Sequence, residues 1–133
     1  MNDENPFEGA SVIFSYTRAQ AIEDGVLVDL TAWAKETGFR IPVACTTAVW
    51  HGYIVPPKGT KELGQCERGR AHDVLWLLYL AIRADRDARR DQIRYRVLFL
   101  QAPSKTEEVT LKAHVGPGDD GQPVVTIMRQ DED

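Results

Sequence analysis

The sequence predicts an α+β domain: a C-terminal antiparallel three-stranded meander packed on one long central helix, with an N-terminal strand and short helices before it. Three observations carry this prediction. Between positions 70 and 90, Ala71, Val74, Leu75, Leu78, Ala81 and Ile82 recur at the i, i+3, i+4, i+7 spacing of a helix face. Next, Ile93, Tyr95, Val97 and Phe99 alternate with Arg94, Arg96, Leu98 and Leu100, the period of a strand with one buried face. Finally Val109, Leu111, Ala113 and Val115 alternate with Thr110, Lys112 and His114, and a glycine- and aspartate-rich turn at 116–121 leads back into an apolar stretch at 124–128.

The long helix is the expected centre of the fold. Trp76, Leu77, Tyr79 and Leu80 add apolar side chains to its remaining sides, so positions 74–82 are apolar nearly all round and require cover from several directions. Pro103 stops the strand that follows, because proline cannot donate to a ladder.

Upstream, residues 1–10 are polar, contain Pro6 and Gly9, and read as a flexible arm. The single domain is expected over 11–130, with 131–133 an acidic tail. Residues 11–16 have strand-forming side chains; Thr17 can then cap a short helix through Asp24, and Gly25 ends it in a left-handed conformation. After a short apolar stretch at 26–30, Thr31 is the expected N-cap of a second short helix closed by residues 35–38, with Ala32, Trp33 and Ala34 inward. Over 41–55, Ile41, Val43 and Cys45 alternate, whereas Val49, Trp50, Tyr53 and Ile54 repeat at helical spacing, which predicts a strand and then a turn or two of helix. Residues 56–69 hold two prolines and three glycines with no apolar period, and read as a loop.

Composition narrows the classes of function. At 133 residues, 43% hydrophobic and 27% charged, the chain has the makings of one self-folding domain. A net charge of −4 argues against a surface built throughout to hold phosphate backbones. The acidic start lacks the basic and apolar pattern of a secretion signal, so a cytoplasmic location with reduced cysteines is expected. The apolar run at 74–82 is about half the ~20 residues needed to span a bilayer, and no membrane association is expected.

Several constellations bear on chemistry. Cys45 with His51, and Cys66 with His72, offer ligand types that zinc accepts, but five intervening residues exceed the usual spacing of such pairs, so no metal and no cofactor is expected. Neither cysteine carries a local signature of an activated nucleophile. His114 falls on the outward face of its strand. Tyr16, Thr17 and Arg18 stand where a strand meets a helix, a place at which polar side chains often reach ligands, and Asp73 lies in the expected first turn of the long helix. Together they define a candidate ligand cleft. The structural alternative is capping by Thr17, a surface salt bridge by Arg18 and pairing of Asp73 with Arg70. Six arginines at 83, 86, 89, 90, 94 and 96 against three aspartates make a locally basic turn that could meet an acidic partner or phosphates, or simply serve the negative pole of the helix.

Three phrases carry a family resemblance. They are residues 13–29 (IFSYTRAQAIEDGVLVD), 73–76 (DVLW) and 115–121 (VGPGDDG). With them the chain resembles, over about residues 11–133, a family of small uncharacterised bacterial proteins, a domain of unknown function often encoded on plasmids, phages and integrative elements. The resemblance transfers no activity, and implies an accessory role in maintenance, transfer or defence evasion.

The function expected is that of a non-enzymatic protein-binding accessory module, with Trp50, Tyr53, Arg83, Arg86, Arg89 and Arg90 as contact residues for a protein partner. The alternatives are a small enzyme or nucleotide binder using a Tyr16, Thr17, Arg18 and Asp73 cleft, and weak nucleic-acid binding through the 83–96 arginines. A cleft requires those polar residues to converge, whereas a partner-binding module requires a contiguous exposed apolar patch.

Overall fold

The computed structural model describes residues 16–85 and 91–132, so the arm at 1–10 and most of the strand expected at 11–16 lie outside the described residues. The domain is α+β, with a five-stranded sheet and four α-helices among those residues.

The first helix, α1 (Arg18–Glu23), starts as the sequence predicts. The Thr17 hydroxyl accepts the Gln20 N–H while the Gln20 side chain accepts the Thr17 N–H, both at 3.0 Å, a reciprocal cap that satisfies two orphan donors. Gly25, at φ 78°, turns the chain into β1 (Leu27–Asp29). The second helix, α2 (Thr31–Thr37), departs from expectation at its start: Leu30 is the N-cap, and Thr31 is the first helical residue. The cause is Asp29, whose carboxylate accepts both the N–H and the hydroxyl of Thr31 at 3.0 and 2.5 Å. Of its predicted inner face, Ala34 is buried and Trp33 half-buried, but Ala32 faces solvent.

Strand β2 (Val43–Thr46) runs straight into α3 (Thr47–Val49) and a π-helical turn (Trp50–Ile54), the predicted strand followed by helix. The 56–69 segment contains a 3-10 turn (Lys61–Leu63) and buries Thr60, whose hydroxyl donates to the Pro57 carbonyl at 2.7 Å. Its last residues already belong to α4 (Glu67–Ala84).

The predicted meander is present as β3 (Gln92–Ala102), β4 (Lys105–Pro117) and β5 (Pro123–Arg129), each antiparallel to the next. It is part of a larger sheet than the sequence predicts. The order is β1-β2-β5-β4-β3, with β2 parallel to β5 and β1 antiparallel to β2. The parallel join between β2 and β5 links segments about eighty residues apart, and no local pattern announces it.

One face of the sheet builds the core. Val43, Cys45, Tyr95, Val97, Phe99, Leu111, Ala113, Val125 and Ile127 meet Ala34 of α2 and Ala71, Val74, Leu75 and Leu78 of α4. The helix therefore buries one stripe against the sheet. Contrary to the expectation of cover on several sides, Trp76 is 41%, Leu80 43% and Ile82 39% exposed. The reason lies in the layering: sheet and α2 cover the inner side of α4, no described element lies over the outer side that carries Trp76 and Leu80, and Ile82, on the inner side at the helix end, lines a hollow with Phe39 and Ile93.

Side chains of alternate parity fill the other face: Ala44, Lys112, Val124 and Met128 are buried there, with Thr126 and His114 half-buried beside α1. The Lys112 ammonium donates to the Glu132 carbonyl, and a Glu132 carboxylate oxygen accepts from the Thr46 hydroxyl and the Arg129 N–H, each at 2.8 Å. Residues 129–132 are thus turned back onto the sheet. No helix among the described residues is long and apolar enough to cross a membrane.

Candidate partner-binding surface

Helical periodicity places Asp73, Trp76, Leu80 and Arg83 on one outward stripe of α4, and all four are exposed. Alongside it the aromatic rings are ordered. His72 stacks on Trp76 at 6.5 Å between centroids, Trp76 on Tyr79 at 5.7 Å, and the Arg83 guanidinium lies 5.7 Å over the Tyr79 ring while donating to its hydroxyl at 3.2 Å. This preorganised surface joins two hollows of about 510 Å³ each. One, at the start of α4, is lined by Trp33, Glu36, Cys66, Arg68 and His72. The other, at its end, is lined by Phe39, Ile41, Tyr79, Ile82, Arg83 and Ile93 among others.

Tyr16, Thr17 and Arg18 come together on the opposite face of the sheet, around a hollow of about 430 Å³ shared with His114, Asp119 and Thr126. Their polar groups point at one another's surroundings within the fold. The Arg18 guanidinium donates to the Thr126 hydroxyl and the Val125 carbonyl, both at 2.7 Å, and burial lowers its pKa against the opposing pull of Asp29 and Asp119. The Tyr16 hydroxyl donates to Asp24 at 2.7 Å, a bond that raises its pKa. Asp119 accepts the N–H groups of Arg18 and Ala19 at 2.8 and 3.0 Å, which lowers its pKa. The turn at 116–121 thus supplies an anion to the start of α1.

Asp73 is not brought to this cluster. It projects from α4, which covers the Val125 and Ile127 face, whereas Arg18 lies over Thr126 on the reverse side. Arg70 takes other partners as well. Only 2% exposed, its guanidinium donates to the Tyr53 carbonyl at 2.6 Å, Gln65 at 3.0 Å, the Leu100 carbonyl at 2.8 Å and Gln101 at 2.7 Å, and stacks 5.1 Å over Phe99. This one residue fastens the π turn and the end of β3 to the start of α4. Burial lowers its pKa, and the charge of Asp73 acts in the opposite direction.

Trp50 and Tyr53 are half-buried in that π turn: Trp50 stacks on Trp33 at 6.3 Å, and Tyr53 on Phe99 at 5.1 Å. Of the arginines, Arg83 belongs to the α4 surface, Arg94 and Arg96 project from β3, and Arg86, Arg89 and Arg90 lie outside the described residues. The cysteines are separated by role. Cys45 is in the core, where burial, with a further push from Glu132, raises its pKa to about 12. Cys66 is exposed at the N-cap of α4, its Sγ accepting the Gly69 N–H at 3.3 Å. Among the described residues, no group of three or more His, Cys, Asp or Glu side chains is placed to hold a metal ion.

The apolar run at 74–82 predicts burial for Trp76 and Leu80, and the structure instead leaves both on the outer stripe. The signal of that stripe is the width of the apolar arc, which exceeds what a helix resting on one sheet face can bury.

A family model described as a family of unknown function (DUF6573) matches residues 1–133. No curated protein and no solved structure matches the chain.

Proposed function

The chain belongs to the family of unknown function (DUF6573), and from that premise, which carries no activity, we propose that the domain is a non-enzymatic protein-binding module acting through the outer face of α4. One observation supports the reading above others: Trp76 and Leu80 are large apolar side chains left 41% and 43% exposed one turn apart on that face. Isolated exposed apolar residues are ordinary, but neighbouring ones beside a run of stacked rings, His72 on Trp76 and Trp76 on Tyr79, are the form that recognition surfaces take. The Tyr16, Thr17 and Arg18 cluster supports an enzyme less well, because its donors and acceptors are already engaged in holding α1 to the sheet. A module that works by contact also suits the accessory role in a mobile element implied by the resemblance of residues 13–29, 73–76 and 115–121.

A photo-reactive residue at position 80 tests the reading in cells, with position 98 as the control, since Leu98 is 62% exposed on a different surface. Cross-links to protein that form from position 80 and not from 98 are expected. Equal or absent cross-linking from position 80 removes the basis for the proposal.

A further inference from the structure

The α4 surface has a charge pattern that selects its own occupant. We infer that the partner it fits is a second copy of this chain, docked α4 against α4 in antiparallel orientation; this rests on the proposed partner-binding role of the same face. Asp73, Trp76, Leu80 and Arg83 follow one another at intervals of three, four and three, so the apolar pair has an acid on its N-terminal side and a base on its C-terminal side. A twofold axis passing at the level of Leu78 therefore sets Trp76 of each copy against Leu80 of the other. The same axis sets Asp73 against Arg83 twice, and His72 against the small Ala84.

Such a surface is self-complementary, as an isologous interface requires. A parallel arrangement would instead oppose Asp73 to Asp73 and Arg83 to Arg83, so the charges dictate orientation as well as partner. The 3-4-3 spacing is that of a coiled-coil seam, which lets two helices pack with axes about 8–10 Å apart. Arg83 is already held by Tyr79, so little freedom is lost when it meets the acid.

The outer edge of β3 fits a second copy poorly. The Val115 N–H donates to the Asp91 carbonyl, and with the antiparallel register this turns the backbone groups of Gln92, Arg94, Arg96 and Leu98 toward the edge of β3 that no described strand pairs. Twofold pairing there would bring Arg94 and Arg96 against arginines of the other copy, a charge placement that guards an edge strand.

About three turns of helix bury less than the ~1,200 Å² of a durable interface, so the expected dimer is reversible, with a dissociation constant on the order of micromolar. Sedimentation velocity of the full chain over a range of concentrations reads it directly. Leu80→Glu is expected to weaken association by about tenfold or more while leaving the circular dichroism spectrum unchanged, because Leu80 is outside the core. Asp73→Arg and Arg83→Asp should each weaken it about tenfold, and the double reversal should return it to within about threefold of the original. A chain that stays monomeric throughout, a dimer indifferent to Leu80→Glu, or a double reversal that restores nothing overturns the inference. A monomer that still cross-links another protein from position 80 overturns the homotypic partner and leaves the binding role standing.

Discussion

The Asp119 carboxylate accepts the backbone N–H of Arg18 at 2.8 Å across 101 positions of sequence, so a turn near the C-terminus supplies the anion at the start of the first helix. The Ala19 N–H reaches the same side chain, and the two bonds hold the carboxyl below its ordinary value of 3.8. A depressed folded-state pKa contributes stability that is complete above the unfolded value and is lost as pH falls through the folded one. The Arg18 and Ala19 amide resonances should therefore shift with an apparent pKa below 3.8, and Asp119→Ala should abolish that transition. A midpoint at or above the ordinary carboxylate range contradicts the contact.

Arg70 has the largest expected effect on stability. Replacing it with Met removes the donor that four separate acceptors share inside the fold and leaves the Tyr53 and Leu100 carbonyls without it. The expected loss is about 3 kcal/mol or more in chemical denaturation. Arg70→Lys should recover only part of this, since an ammonium cannot reproduce the planar fork. A loss below about 1 kcal/mol for Arg70→Met would show that these bonds matter little.

Tyr95 predicts the opposite sign. Its hydroxyl is buried in the core with no hydrogen-bond partner among the described residues, and burial, followed by the neighbouring Cys45, raises its pKa. Tyr95→Phe removes an unsatisfied polar atom and preserves the ring. Stability should stay the same or rise by about 1 kcal/mol, as read from the denaturation midpoint. A clear loss would reveal a bond to that hydroxyl.

Thiol chemistry separates the two cysteines. Cys66 is exposed, whereas Cys45 is sealed in the core with its pKa near 12. An aromatic disulfide reagent at neutral pH should titrate one thiol in the native protein and both in denaturant, and Cys66→Ser should remove the fast phase. Rapid labelling of both thiols in the native state would place Cys45 nearer solvent than this fold allows.

What was legible in the sequence was whatever depends on neighbours along the chain. The Thr17 cap, the Gly25 turn, the three alternating C-terminal strands and the long helix each follow from patterns spanning a few residues, and each is present. The N-cap of α2 was misplaced by one residue because Asp29, not Thr31, holds the acceptor at that turn. The candidate site is legible only in part: the sequence marks Arg83, its periodicity predicts burial for Trp76 and Leu80, and its motifs group Asp73 with residues that lie across the sheet.

By itself the sequence determined the periodicities, and therefore the helix, the meander and the apolar faces that must be covered. Only the tertiary structure decided which side of α4 is covered, that β2 joins β5 in parallel, and that Arg70 and Asp119 reach partners far along the chain. Periodicity states how much apolar surface a segment carries, but the three-dimensional arrangement of distant segments states how much of it is met. On α4 the supply exceeds the cover, and the surplus, Trp76 and Leu80, is left exposed.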